Sequence, residues 1–123
     1  MAKITTISVF KNKNLNSGTS CTSDKIDLRH IANNGYFALM TNIMNGTAST
    51  CGTTSFTYLC SSLEEGTFIT PSNAVAIGTK GTAGVDILTF EPEVTPFIKI
   101  TANQTGSTAG GNNTKFDLDL IVQ

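Results

Sequence analysis

The closing stretch Thr114-Lys115-Phe116-Asp117-Leu118-Asp119-Leu120-Ile121-Val122-Gln123 limits what this chain can fold into more than any other segment. Phe116, Leu118, Leu120 and Val122 recur at period two. Asp117, Asp119 and Gln123 fill the alternate positions, with Ile121 the one apolar residue among them. An extended backbone sends successive side chains to opposite faces, so this pattern predicts a strand with one face buried. A helix would scatter the same residues around its circumference. Upstream, Ile98, Ile100 and Ala102 share a face against Lys99 and Thr101, and the segment Asn103 to Asn113 between the two runs is polar and Gly-rich. The sequence predicts a long-looped β-hairpin here, with the remaining strands layered around it.

The rest of the chain repeats the theme in shorter pieces. Ile4 to Phe10 predicts a first strand, with Ile7 and Val9 on one face and Ile4 and Phe10 on the other. Lys11 to Gly18 reads as a polar connection, because its Asn and Gly residues suit turns. Lys25 to Arg29 alternates, with Ile26 and Leu28 pointing inward, and Asn33-Asn34-Gly35 is a turn signal. Tyr36 to Met44 is the longest apolar run and is apolar on both sides, as expected of a central strand covered on both faces. Ser55 to Ser61 puts Phe56, Tyr58 and Cys60 on one face. Thr67 to Thr70, Ala74 to Ile77 and Val85 to Phe90 predict three more short strands, with Gly78 to Gly84 a hairpin-like loop. No segment predicts a helix longer than two turns.

These elements predict an all-β fold. It is a single domain over residues 1–123, an antiparallel β-sandwich or jelly-roll of about eight or nine short strands. Composition agrees. Hydrophobic residues make up 39% of the chain and charged residues only 14%, with Thr, Ser, Asn and Gly taking the difference. That leaves a polar but weakly charged surface, which a partner can cover at low desolvation cost. A net charge of -1 gives no basic footprint for nucleic acid. Lys3, Lys11, Lys13, Lys25 and Arg29 lie early and Glu64, Glu65, Glu91 and Glu93 late, an asymmetry available for contacts between neighbouring copies.

No catalytic motif emerges. His30 is the one histidine, and no nucleophile elbow accompanies it. The pairs Asp117/Asp119 and Glu91/Glu93 follow from strand alternation, lack EF-hand spacing, and imply no metal. Gly78-Thr79-Lys80-Gly81-Thr82 does not satisfy the phosphate-loop pattern. Cys21, Cys51 and Cys60 include no CxxC pair. A Cys51–Cys60 disulfide fits the spacing without being assigned by it, and reduced thiols are the simplest account. No cofactor is expected. No apolar run nears the roughly 20 residues that span a bilayer, and residues 1–5 show no apolar signal-peptide core. The expectation is a cytoplasmically made protein without a membrane partner.

Phe90-Glu91-Pro92-Glu93-Val94-Thr95-Pro96-Phe97-Ile98-Lys99-Ile100 and Leu118-Asp119-Leu120-Ile121-Val122-Gln123 resemble small phage virion proteins, the β-sandwich decoration (cement) and related head-and-tail accessory proteins. The resemblance covers the last third of the chain. It implies a non-enzymatic virion protein that docks on an assembled shell and braces major capsid protein or other virion subunits, with copies of itself as further partners. A carbohydrate-binding or adhesion module is the alternative on the same architecture. The residues expected at contacts are Ile4, Ile7, Val9, Phe10, Lys11 and Lys13 in the N-terminal strand and basic arm, and Gln104, Thr105 and Asn112 in the Gly-rich loop. The arm carries more apolar surface than a lone edge strand comfortably exposes.

Overall fold

A computed structural model of the chain describes residues 4–16, 18–31, 35–45, 53–72, 74, 76–80, 84–92, 95–105 and 113–123. The strands are β1 (Thr5–Asn16), β2 (Ser20–Thr22), β3 (Ile26–Asp27), β4 (Phe37–Asn45), β5 (Thr53–Ser61), β6 (Gly78–Lys80), β7 (Gly84–Phe90), β8 (Phe97–Thr105) and β9 (Asn113–Val122). They form two antiparallel sheets. One is four-stranded in the order β1-β9-β4-β7, and the other runs β2-β8-β5-β6 with β3 also paired to β8. Among the described residues there is no helix.

The pairing is nested. β1 pairs with β9, β2 with β8, β4 with β7 and β5 with β6. The chain is thus one long hairpin, bent between β5 and β6 and rolled so that β9 also meets β4 and β8 also meets β5. This is the jelly-roll form of the sandwich. Its core lies between the sheets. Phe37, Leu39 and Ile43 of β4, Phe56 and Tyr58 of β5, Ile98 and Ile100 of β8, and Phe116, Leu118, Leu120 and Val122 of β9 are all buried. The period-two patterns of β5, β8 and β9 face inward as the sequence predicted.

The predicted hairpin of the last two strands is not formed. β8 and β9 lie in different sheets and face each other across the core. Both carry a full inward row of apolar side chains, and two such rows are buried best against one another. Buried Gln104 ties the two strands together by donating from Nε2 to Thr114 Oγ1 at 3.1 Å.

Three other expectations are corrected. Lys11 to Asn16 is not a connection but the second half of β1. Ladder shifts between Ser8 and Phe10, and again between Phe10 and Lys13, each insert an extra residue opposite β9, with Asn12 at φ 51°. The first insertion turns Phe10 to the same side as Ile7 and Val9, so all three pack against the core. Gly78–Lys80 is a strand paired with β5, whereas 74 and 76–77 are not, and Thr67 to Thr70 contributes one isolated bridge, Cys60 to Ile69. Finally, β4 is central in its sheet, but among the described residues no strand or sheet covers its outer side. Its Met40 stands exposed.

Candidate functional site

The four-stranded sheet turns an unusual outer face to solvent. Across it, Ser8, Asp119, Met40 and Ile87 stand in one row of directly paired residues on β1, β9, β4 and β7. The next row is Thr6, Ile121, Ala38 and Thr89. On the other side Asp117, Asn42 and Val85 are aligned. Val85 and Ile87 are each 57% exposed and Met40 38% exposed, which is far from the usual place for β-branched and thioether side chains. Local sequence explains why. In Val85-Asp86-Ile87-Leu88, inward Leu88 packs on the core, so alternation sends Val85 and Ile87 outward.

At one end the face deepens into a cavity of about 600 Å³ lined by Ile4, Tyr36, Phe90, Glu91, Ile121 and Gln123, among others. Tyr36 and Gln123 hold its floor with two backbone bonds, Tyr36 N to Gln123 O at 3.3 Å and Gln123 N to Tyr36 O at 2.9 Å. Beneath it the Phe90 ring lies 5.6 Å from Phe37 and 5.7 Å from Tyr58. Ile4 and Tyr36 are both mostly exposed at the rim. The site thus pairs a shallow apolar shelf with a wider aromatic hollow.

The structure separates the residues that the sequence grouped. Ile4 belongs to this face. Ile7, Val9 and Phe10 do not, since they pack inward, with the Phe10 ring edge-on to Phe116 at 5.6 Å. Lys11 is exposed and reaches Asp117 at 3.4 Å, and Lys13 is exposed on the β1 edge. Gln104 is wholly buried and is no contact residue. Its backbone and side-chain oxygens share the Gly18 N–H, at 3.1 and 3.2 Å, which uses its polar groups internally. Thr105 ends β8 opposite Thr53, and Asn112 lies outside the described residues, as does Cys51 and with it the Cys51–Cys60 pairing. Met40, Val85, Ile87 and Tyr36 were absent from the expected contact set. The signal for Tyr36 and Met40 was the two-sided apolar character of Tyr36 to Met44, which implied a cover that no described residue provides.

The charge asymmetry is also used within the chain. Lys25 meets Glu65 at 2.6 Å and Glu64 at 3.6 Å, and Arg29 meets Asp27 at 2.7 Å and Glu64 at 3.9 Å. The Arg29 hydrogen bonds hold the Asp27 carboxyl down at about 2, and the Glu65 carboxylate raises Lys25. The Asn12 N–H, at 2.7 Å, is the main cause of a lowered Asp117. These are surface pairs, each of small energetic weight. Burial pushes the Cys21 thiol up, away from the reactive thiolate range. His30 is exposed on a turn. Among the described residues no three His, Cys, Asp or Glu side chains gather closely enough to hold a metal ion.

The opposite sheet offers a contrast. Its outer face carries Thr22, Thr101 and Thr57 in one row and Ser20, Asn103, Ser55 and Thr79 in the next. Thr22 and Thr101 hydroxyls bond each other at 3.1 Å.

No protein-family model matches this chain, and no curated protein sequence matches it either. The fold and site define a class: an antiparallel jelly-roll sandwich with one hydroxyl-rich face and one apolar face.

Proposed function

We propose that this protein is a structural subunit of a virion, a capsid-decoration protein that binds the assembled shell through the outer face of its four-stranded sheet and stabilises it. The observation that carries this reading is the exposed apolar patch of Met40, Val85 and Ile87 on a central and an edge strand. Apolar side chains gathered on one face gain free energy when another surface removes them from water. Asp119, Asn42 and Thr89 around them supply the polar rim that protein–protein contacts favour. The likeness of Phe90–Ile100 and Leu118–Gln123 to phage virion accessory proteins supports the same reading, as does a fold that hosts capsid domains among others. In this reading the protein is made in the host cytoplasm, its partners are major capsid protein and other virion subunits, and the N-terminal strand serves the core rather than the contact.

The test is cosedimentation of the purified protein with shells stripped of it, alongside the melting temperature of those shells. Met40→Lys and Ile87→Lys, each of which buries a charge on docking, should weaken attachment about tenfold or more. Thr22→Lys on the opposite sheet should leave it unchanged. Equal behaviour of all three variants would remove this face from the function.

The cavity favours a second reading, a carbohydrate-binding or adhesion module. Exposed Tyr36 stands beside Glu91 and Gln123, a ring to stack on and two groups able to bond hydroxyls. Glycan binding that disappears in Tyr36→Ala, with no attachment to shells, would put it first.

A further inference from the structure

The two edges of the four-stranded sheet are built differently. β1 is broken by two ladder irregularities and carries Lys11 and Lys13, all of which discourage another strand from pairing there. β7 runs opposite β4 without a shift from Gly84 (paired with Ile43) to Phe90 (paired with Phe37), and it has no lysine, arginine or proline. Among the described residues nothing pairs with its other side.

The hydrogen bonds show which groups face that open side. Thr41 Oγ1 donates to the Asp86 carbonyl at 3.4 Å, so the backbone of Asp86 is directed at β4. In an antiparallel strand the direction alternates, which turns the N–H and C=O of Val85, Ile87 and Thr89 to the open edge. The Ile87 N–H agrees: it donates to the carboxylate of the adjacent Asp86 at 2.9 Å. A local side chain thus occupies a donor that a ladder partner would take.

We infer that β7 pairs antiparallel with β7 of a second copy, about a two-fold axis at Ile87, to give one continuous sheet. The strand is self-complementary in that register. Ile87 meets Ile87 of the second copy, and Val85 meets its Thr89, which are apolar and β-branched pairs on the outer face. Asp86 meets Leu88, so no like charges are opposed. Each edge-facing N–H finds a carbonyl, with the Ile87 N–H exchanging the Asp86 carboxylate for the carbonyl of its counterpart. A β1 paired with itself about Asn12 would instead set Lys11 against Lys13 of the second copy. Pairing also doubles the apolar shelf, because the Met40–Ile87 row continues into the same row of the second copy. The dimer forms from the free protein; only its use in docking rests on the shell-binding reading.

The experiment is sedimentation equilibrium of the purified protein over a wide concentration range, with amide exchange followed residue by residue. The expected result is a monomer–dimer equilibrium that Ile87→Lys abolishes, by opposing two lysines at the axis, without changing the melting temperature at low concentration. Thr22→Lys should dimerise normally. In the wild type, the amides of Val85, Ile87 and Thr89 should become protected as concentration rises, while Asp86 and Leu88, bonded to β4, stay protected throughout. That pattern needs no variant and so survives a misfolded Ile87→Lys. A monomer at every concentration, or a dimer with unchanged exchange at those three amides, overturns the proposal. Shell attachment is measured separately, so a monomer that still binds shells would sink the dimer alone.

Discussion

On the outer face of β5 and β8, Thr57 and Thr101 stand side by side, and Thr22 of β2 completes their row. On the outer face of β4 and β7, Met40 and Ile87 occupy the matching place. Inside, the two sheets are alike: Phe56 and Ile100 on one meet Leu39 and Leu118 on the other in a single buried core. A Thr row satisfies its hydroxyls with water or with each other, and its methyl groups suit the pleat, so that face is finished as it stands. An Ile–Met row gains nothing from water. The difference shows that sheet formation needs only the inward row, and that the outward row is free to serve something else.

The largest effect should come from what the sheets share. Leu118→Ala, on the inward side of β9, should cost about 2–5 kcal/mol by chemical denaturation, as truncations in a packed core do. Asp119→Ala, one residue along and facing out, should stay within about 0.5 kcal/mol. Similar costs for the two would mean that the inner and outer sides of β9 are wrongly assigned.

A smaller loss is expected where the sheets are tied. Gln104→Ala leaves the buried Thr114 hydroxyl without its donor, at a cost of about 1–3 kcal/mol. A Thr114→Val change made on top of it should recover part of that loss, since the orphaned hydroxyl is then gone. No recovery would argue against the tie across the core.

Exchanging the outer faces should move stability little and docking most. Met40→Thr combined with Ile87→Thr makes the apolar face resemble its opposite. Shell attachment should fall about tenfold or more while the folded protein changes by about 0.5 kcal/mol or less. Full attachment by this double variant would end the functional contrast between the faces.

The smallest effect is electrostatic. Asp27 is held from its ordinary 3.8 to about 2 by the Arg29 hydrogen bonds. A carboxylate with a lowered folded value stabilises the fold above its unfolded value, and that contribution fades as pH falls toward 2. Carboxyl chemical shifts should place the Asp27 midpoint near 2 in the wild type. Arg29→Ala should return it toward the ordinary range. A midpoint that does not move would mean Arg29 is not the cause.

Sequence alone determined the strands whose faces differ most. Phe116, Leu118, Leu120 and Val122 could be placed inside because alternation between apolar and charged residues is a local property of an extended chain. The same held for Phe56, Tyr58 and Cys60, and for Ile26 and Leu28. The all-β class followed from these runs and the turn residues between them. What failed were the relations that alternation does not encode. Whether β8 and β9 pair or oppose each other depends on which arrangement buries both apolar rows, and two facing sheets do so better than one hairpin. Phe10 changed sides because a bulge inserts one residue, and a shift of one reverses every following side chain. Gln104 looked like part of a polar loop, yet the fold brought Thr114 and Gly18 within hydrogen-bonding reach and so made its burial tolerable. The outer face of β4 is the last such case. Its apolar residues were plain in the sequence, but only the strand order could reveal that nothing in the described chain covers them, because cover is a property of neighbours and not of the strand itself.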